Sequence, residues 1–226
     1  MVKDELKQQE AAIGEAVSKT EAFFEKNSKT FVAAVVAFCV VVGGVYGYRK
    51  LVAEPRVEKA SELIAEAQYR FEQENADFAL ALNGDASAPG FAQVAEQYGN
   101  TPAGNLANMY AAACALRLGD YAMAEKYIND FSTVKGVAGE MINAMAIGIK
   151  GDIAVEQDDL AKAASLFEKA AAASDNQFTT PLYLRKASQA YRAMGNVEKA
   201  NAQLQTIMEK YPSSIDSREA TTYIGD

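Results

Sequence analysis

Histidine and tryptophan are both missing from the 226-residue sequence, and cysteine occurs only at Cys39 and Cys114. Histidine is the commonest general base and a frequent metal ligand, so its absence disfavours catalysis and metal binding. The chain also contains no glycine-rich phosphate loop and no nucleophile motif. We therefore predict that the protein is not an enzyme and has no catalytic residue, metal site or cofactor. No disulfide is predicted, because Cys39 lies inside an apolar run that Cys114 cannot reach.

The sequence also has no excess of basic over acidic residues. The formal net charge is −8, and after residue 29 there are 24 acidic residues against 17 basic ones. Nucleic-acid binding depends on Lys and Arg side chains that neutralise phosphates, so we predict no nucleic-acid partner. The densest carboxylate group, Glu156, Asp158 and Asp159, lacks the spacing of a calcium loop and predicts a polar turn instead.

One long apolar run interrupts this polar chain. Residues 30–48, TFVAAVVAFCVVVGGVYGY, contain no charged side chain. As a helix they would extend about 28 Å, close to the roughly 30 Å hydrocarbon core of a bilayer. The alternative is a cleaved signal peptide, but a polar segment precedes the run and GYRK, rather than small residues, ends it. We predict an uncleaved membrane anchor at 30–48, between a polar segment at 1–29 and a large domain at 49–226.

Small residues recur at a spacing of four within the anchor. The two pairs are Ala33 with Ala37 and Gly43 with Gly47. Such pairs let two helices approach closely in lipid, so we predict that these four residues mark a helix-packing face in the membrane.

The polar segment at 1–29 has apolar residues that would share one helical face. They are Leu6, Ile13, Val17 and Phe24. Two interpretations stay open: a short helix or disordered tail at the membrane surface, or a helix that binds a partner.

The large domain is predicted to be all-α. Thr101-Pro102 and Thr180-Pro181 each fit a helix N-cap followed by the first helical residue. A long helix is expected from about Arg56 to Leu82, followed by the loop NGDASAPG. β-Branched runs are almost missing from the rest, which disfavours strands.

Three segments of this domain share one pattern. Their turn positions, Gly119, Asp158 and Gly195, are 39 and 37 residues apart. An alanine follows each turn by five residues, and a large apolar residue follows that alanine by four. The alanines are Ala124, Ala163 and Ala200, and the large residues are Ile128, Phe167 and Leu204. Repeats of this length predict stacked pairs of helices in which the small residue permits close approach.

This pattern resembles the tetratricopeptide repeat family. The second segment matches best, through Gly151, Ala163, Phe167 and Ala170, and the third matches through Tyr191, Ala200 and Pro212. The resemblance implies an α-solenoid of degenerate helical hairpins that binds other proteins.

In that family, particular positions of each first helix line an inner groove. The resemblance places Leu106, Met109, Ala113 and Leu116, then Met145, Gly148, Asp152 and Val155, then Leu182, Arg185, Gln189 and Arg192 at those positions. We select Leu106, Met109, Met145, Leu182, Arg185, Gln189 and Arg192 as the candidate groove. For Ala113 and Leu116, packing against neighbouring helices is the favoured interpretation. Because the Lys and Asn residues that family members use for acidic chaperone tails are largely missing, an apolar groove for extended or partly unfolded segments is expected.

The whole layout, a polar segment, one anchor and a repeat domain, resembles the YfgM-type ancillary subunits of the bacterial SecYEG translocon. The resemblance implies a single-pass protein of the bacterial inner membrane with its C-terminal domain in the periplasm. It also implies SecYEG, a PpiD-type anchored chaperone and membrane lipid as partners, and unfolded exported proteins as clients.

Charge does not decide the orientation, since residues 16–30 carry three Lys and residues 49–63 carry four Lys or Arg. Two other functions stay open. One is a structural scaffold of another envelope or secretion assembly that binds no client, and the other is a receptor that faces the cytosol.

Overall fold

A computed structural model describes residues 2–224 of the chain. The helices are α1 (Val2–Tyr48), a π-helical turn (Arg49–Ala53), α2 (Glu54–Phe71), α3 (Phe78–Asn83), α4 (Phe91–Tyr98), α5 (Pro102–Arg117), α6 (Tyr121–Asp130), α7 (Val137–Glu156), α8 (Leu160–Ala172), α9 (Thr179–Ala193), α10 (Val197–Lys210) and α11 (Ile215–Tyr223). Over this range the only strand-like pairing is an isolated bridge between Gly84 and Pro89, so the predicted all-α class is confirmed. The chain forms two compact units, Met1–Pro55 and Arg56–Asp226.

The first unit is dominated by α1. Residues 30–48 lie in this helix, and their large apolar side chains, such as Phe38 and Val40, are exposed. Within the described range this is the one helix long and apolar enough to cross a membrane. The polar segment belongs to the same helix from Val2 onward. Val17 and Phe24 are exposed, whereas the side chains of Leu6 and Ile13 lie outside the described residues.

The helix expected from Arg56 to Leu82 is interrupted, because α2 ends at Phe71 and α3 begins at Phe78. Asp77 explains the break: its carboxylate accepts a hydrogen bond from the Leu80 N–H at 2.9 Å and caps a new helix start. The long-helix prediction was therefore wrong in this part.

The three predicted turn positions share one backbone conformation. Gly119, Asp158 and Gly195 have positive φ angles of 78°, 60° and 76°. The residue after each turn position caps the following helix through its side chain, and these residues are Asp120, Asp159 and Asn196. Each turn thus ends one helix and begins the next within three residues, so α5 packs on α6, α7 on α8 and α9 on α10.

The small and large residues of the repeated pattern are in the core. Ala124, Ala163 and Ala200 are fully buried, and Ile128, Phe167 and Leu204 are at most 2% exposed. The Phe167 ring stacks on the Tyr183 ring, with centroids 6.5 Å apart and planes at 11°. The periodicity in the sequence therefore indicated the buried faces correctly.

The two predicted threonine caps differ in outcome. Thr101 caps α5 and accepts a hydrogen bond from the Gly104 N–H, as predicted. Thr180 does not cap α9, because that helix already begins at Thr179. The Thr180 hydroxyl donates to the Ser174 carbonyl instead. Phe178 occupies the N-cap position, and Asn176 Oδ1 accepts hydrogen bonds from the Phe178 and Thr179 N–H groups at 2.8 Å just before the helix.

Substitutions at two equivalent turn positions should shift stability in opposite directions. Asp158 has a left-handed backbone conformation, which is less favourable for a residue with a Cβ atom than for glycine. Asp158→Gly should therefore stabilise the protein by about 0.5 kcal/mol. Gly195→Ala should destabilise it by about 1 kcal/mol for the same reason. Denaturant unfolding of the full-length protein in detergent micelles, followed by circular dichroism, measures both. A fall in stability with both variants would show that Asp158 does not occupy this conformation.

Candidate protein-binding surface

The candidate groove is split between core and surface. Met109 is only 3% exposed and packs with Ala112, Ile128 and Ile153. Because α4, α6 and α7 all pack on α5, no open side remains at this position. Met109 is therefore a core residue, which corrects its assignment to the groove. Leu106, earlier on the same helix, is partly buried between two core clusters.

The arginines of the candidate groove are engaged within the protein. Arg185 Nε lies 2.5 Å from Asp216 Oδ1 and 3.4 Å from Glu219 Oε2, both on α11. Arg192 donates to the Tyr223 carbonyl at 2.7 Å, at the end of the same helix. The two arginines thus hold α11, and a ligand would have to compete with that helix for them.

The remaining groove residues are dispersed. Leu182 packs against a core cluster, while Gln189 is exposed. A Cβ atom at Gly148 would lie 2.2 Å from Tyr183 Cε1, so this face of α7 is filled by α9. Met145 stays exposed. The seven residues do not form one surface.

An apolar stripe runs along an exposed face of α7. Val137, Met141 and Met145, spaced by four residues, are 85%, 41% and 37% exposed. That spacing places them on one side of the helix. Methionine is flexible and polarizable, so it adapts to apolar partners of different shapes. Such a stripe is suited to binding apolar segments.

A second surface feature is the non-helical connection between α6 and α7. The side-chain amide of Asn105 donates to the Ser132 carbonyl and accepts from the Ser132 N–H, both at 2.7 Å. Asn143 makes the same pair of contacts with Val134, at 2.8 and 2.9 Å. Two asparagines therefore hold residues 131–135, which we call the clamped segment, through its backbone alone.

The clamped segment borders an open groove of about 650 Å³. The groove wall is uncharged and includes Ile64, Pro102, Leu106, Thr133, Val134 and Ile142. Leu106 is the one member of the candidate groove that lies here. Neither Asn105 nor Asn143 was selected from the sequence, although the 39-residue interval between Gly119 and Asp158 indicated extra residues in this repeat.

The small residues predicted to pack in the membrane lie open. Ala33, Ala37 and Gly43 are exposed, and Gly47 is half-buried. A Cβ atom added at Gly43 or Gly47 would have no heavy atom within 4 Å apart from the local helix backbone, so a neighbouring helix has access to this face.

Two ionisable side chains of the second unit are buried. Burial raises the pKa of the Cys114 thiol to about 12, so this side chain stays neutral and is not an activated nucleophile. Burial, with a smaller contribution from the nearby Asp152 charge, raises the pKa of Tyr183. Across the described part of the chain, no three His, Cys, Asp or Glu residues are grouped as metal ligands.

These features define an all-helical chain with one apolar N-terminal helix and a separate helical unit. Comparisons with protein-family models, curated proteins and solved structures find no match. The resemblances seen in the sequence therefore stay predictions, and the functional argument depends on the contacts within this chain.

Proposed function

We propose that the protein is a single-pass membrane protein whose second unit is a tetratricopeptide-like solenoid that binds extended or partly unfolded protein segments. The α7 stripe carries the proposal. Val137, Met141 and Met145 expose apolar area to water, and exposed apolar area on a folded protein is typical of an interaction site. The equivalent turns at Gly119, Asp158 and Gly195 support the repeat assignment.

The apolar helix supports the membrane part of the proposal. The large apolar side chains of residues 30–48 are exposed, and lipid is the environment in which such a surface is stable. By its layout we assign the protein to the bacterial inner membrane with the second unit in the periplasm. There it would work beside SecYEG and a PpiD-type anchored chaperone, and assist exported proteins.

We expect the full-length protein in lipid nanodiscs to slow the aggregation of a denatured model protein at near-stoichiometric ratios and without ATP. Replacing Met141 and Met145 together by Glu should remove most of this effect, because two charges would oppose the burial of apolar client segments. Light scattering measures the aggregation. Met109 is unsuitable for this test, since a charge there would disrupt the core.

The matched control is Ala122→Glu with Ala202→Glu, which adds the same charge at exposed positions on α6 and α10. It should behave like the unmodified protein. If the unmodified protein leaves aggregation unchanged but purifies in a defined membrane complex, a scaffold without clients is the better account.

A further inference from the structure

Large apolar residues recur along α1 at intervals of seven, with smaller or polar uncharged residues between them at alternating steps of three and four. The full set, which we call the heptad row, is Val17, Thr20, Phe24, Asn27, Phe31, Ala34, Phe38, Val41 and Val45. The five members that are spaced by seven are 47% to 69% exposed. Positions with this spacing lie on one side of a helix. The heptad row is therefore a continuous exposed face of α1.

Charged residues avoid the heptad row even where the chain is otherwise polar. From residue 17 to residue 29, five of thirteen residues are charged, and these are Lys19, Glu21, Glu25, Lys26 and Lys29. None of them is on the row, which has four positions in that interval. Water does not require this separation. Burial against another helix does, because an unpaired charge is costly to bury.

Lipid covers only part of the row. Val17 precedes the predicted span by 13 residues, which is about 20 Å along a helix. The headgroup layer outside the hydrocarbon core is only about 5 to 8 Å thick. Because α1 continues from the polar segment into the span as one helix, the polar segment cannot lie along the membrane surface while the span crosses it. Lipid therefore does not cover the row near Val17.

The repeat and the membrane together indicate the partner. A strict seven-residue repeat follows a second helix that winds around the first, and over the about 42 Å from Val17 to Val45 that helix must also cross the membrane. Two copies of this chain insert with the same orientation, so their helices would meet in parallel and each residue would face its own counterpart. On the heptad row, such a pairing brings Phe24 and Phe31 against the same residues and brings no like charges together.

We propose that α1 forms a parallel dimer with a second copy of the chain through the heptad row. Phe24 and Phe31 lie in its middle part, and their rings already contact each other edge to face, with centroids 5.4 Å apart. The inference rests on the membrane-spanning part of the proposed function and is independent of client binding. The small residues of the span, such as Ala37 and Gly43, lie on the opposite side of the helix and stay accessible to a different neighbour.

Disulfide cross-linking between single cysteines tests the face. Both native cysteines are first replaced by alanine, and the full-length protein is then oxidised in membranes of bacteria that express it at a low level. We expect Val17→Cys and Thr20→Cys to give a covalent dimer, because these positions face their counterparts. Ser18→Cys and Lys29→Cys, on the other side of the helix, should stay monomeric. Gel electrophoresis without reductant measures the yields.

Two results of this experiment would overturn the dimer. One is an equal yield at the four positions, and the other is no dimer at Val17→Cys. A cross-linked product whose mass includes another protein would assign the heptad row to a different membrane helix and would also overturn the proposal.

Shortening side chains of the row should weaken association. Phe24→Ala with Phe31→Ala removes two aromatic pairs from the dimer, so we expect a dissociation constant at least about tenfold higher. The matched control, Val36→Ala with Val40→Ala, shortens two exposed side chains on the opposite side of the helix and should leave association unchanged. Energy transfer between donor-labelled and acceptor-labelled copies at increasing lipid dilution measures the constant. Similar losses for the two pairs would show that the row is not the contact.

Alkaline extraction of the same membranes separates this inference from the proposed membrane anchor. If the protein resists extraction and Val17→Cys gives no dimer, the dimer is wrong and the anchor stands. If alkali releases the protein, it does not span the membrane, and both proposals fail.

Discussion

Replacing Phe167 by alanine is expected to lower the free energy of unfolding by about 3 to 5 kcal/mol, the range for truncating a buried phenylalanine. The side chain is 2% exposed and stacks on Tyr183. It belongs to a cluster with Ala163 and Leu204 that unites residues of α7, α8, α9 and α10. The cavity would remain partly unfilled, because several of its neighbours, such as Ala163 and Ala170, are too short to fill it. Denaturant unfolding of the full-length protein in detergent micelles measures the loss.

Phe178→Ala is the matched control, since it makes the same change at a side chain that is 76% exposed. It should alter the free energy of unfolding by less than about 0.5 kcal/mol. Similar losses for the two variants would mean that Phe167 is not in a packed core.

Gly104→Ala is expected to destabilise the protein by about 3 kcal/mol, at the upper end of the range for overpacking. The added Cβ would lie 1.8 Å from the Tyr98 carbonyl oxygen and 2.1 Å from its carbon. These are backbone atoms, so no side-chain rotation relieves the clash and α5 must move away from the end of α4. The same unfolding experiment measures the loss.

Gly119→Ala separates the clash from the general effect of replacing glycine. A Cβ there has nothing within 4 Å, and the positive φ angle of 78° should cost about 1 kcal/mol alone. Equal effects of the two variants on stability would contradict the close approach of α5 to Tyr98.

The turn positions show what could be predicted from neighbouring residues. Gly119 and Gly195 can adopt positive φ without a Cβ penalty, and Asp158 is of a type that tolerates it. A capping residue follows each of them, and burial repeats at the helical period. These signals act over a few residues, so they are visible in one sequence. The break before Phe78 was missed because a single cap at Asp77 outweighed the continuing helical pattern.

The binding surface could not be predicted in the same way. Whether Met109 lines a groove or fills a core depends on which helices pack around α5. Arg185 contacts Asp216, 31 residues away, and Asn105 contacts Ser132, 27 residues away. Nothing adjacent to these residues in the chain indicates their partners.

The sequence by itself determined the all-helical class, the apolar helix over residues 30–48, the three turns and the buried alanines, because each depends on local conformational preference or on hydrophobic period. Only the tertiary structure decided that residues of α11 bind the arginines of α9 and that two asparagines hold the backbone of the clamped segment. Such contacts depend on where helices distant in the chain come to lie, and long-range packing sets that position.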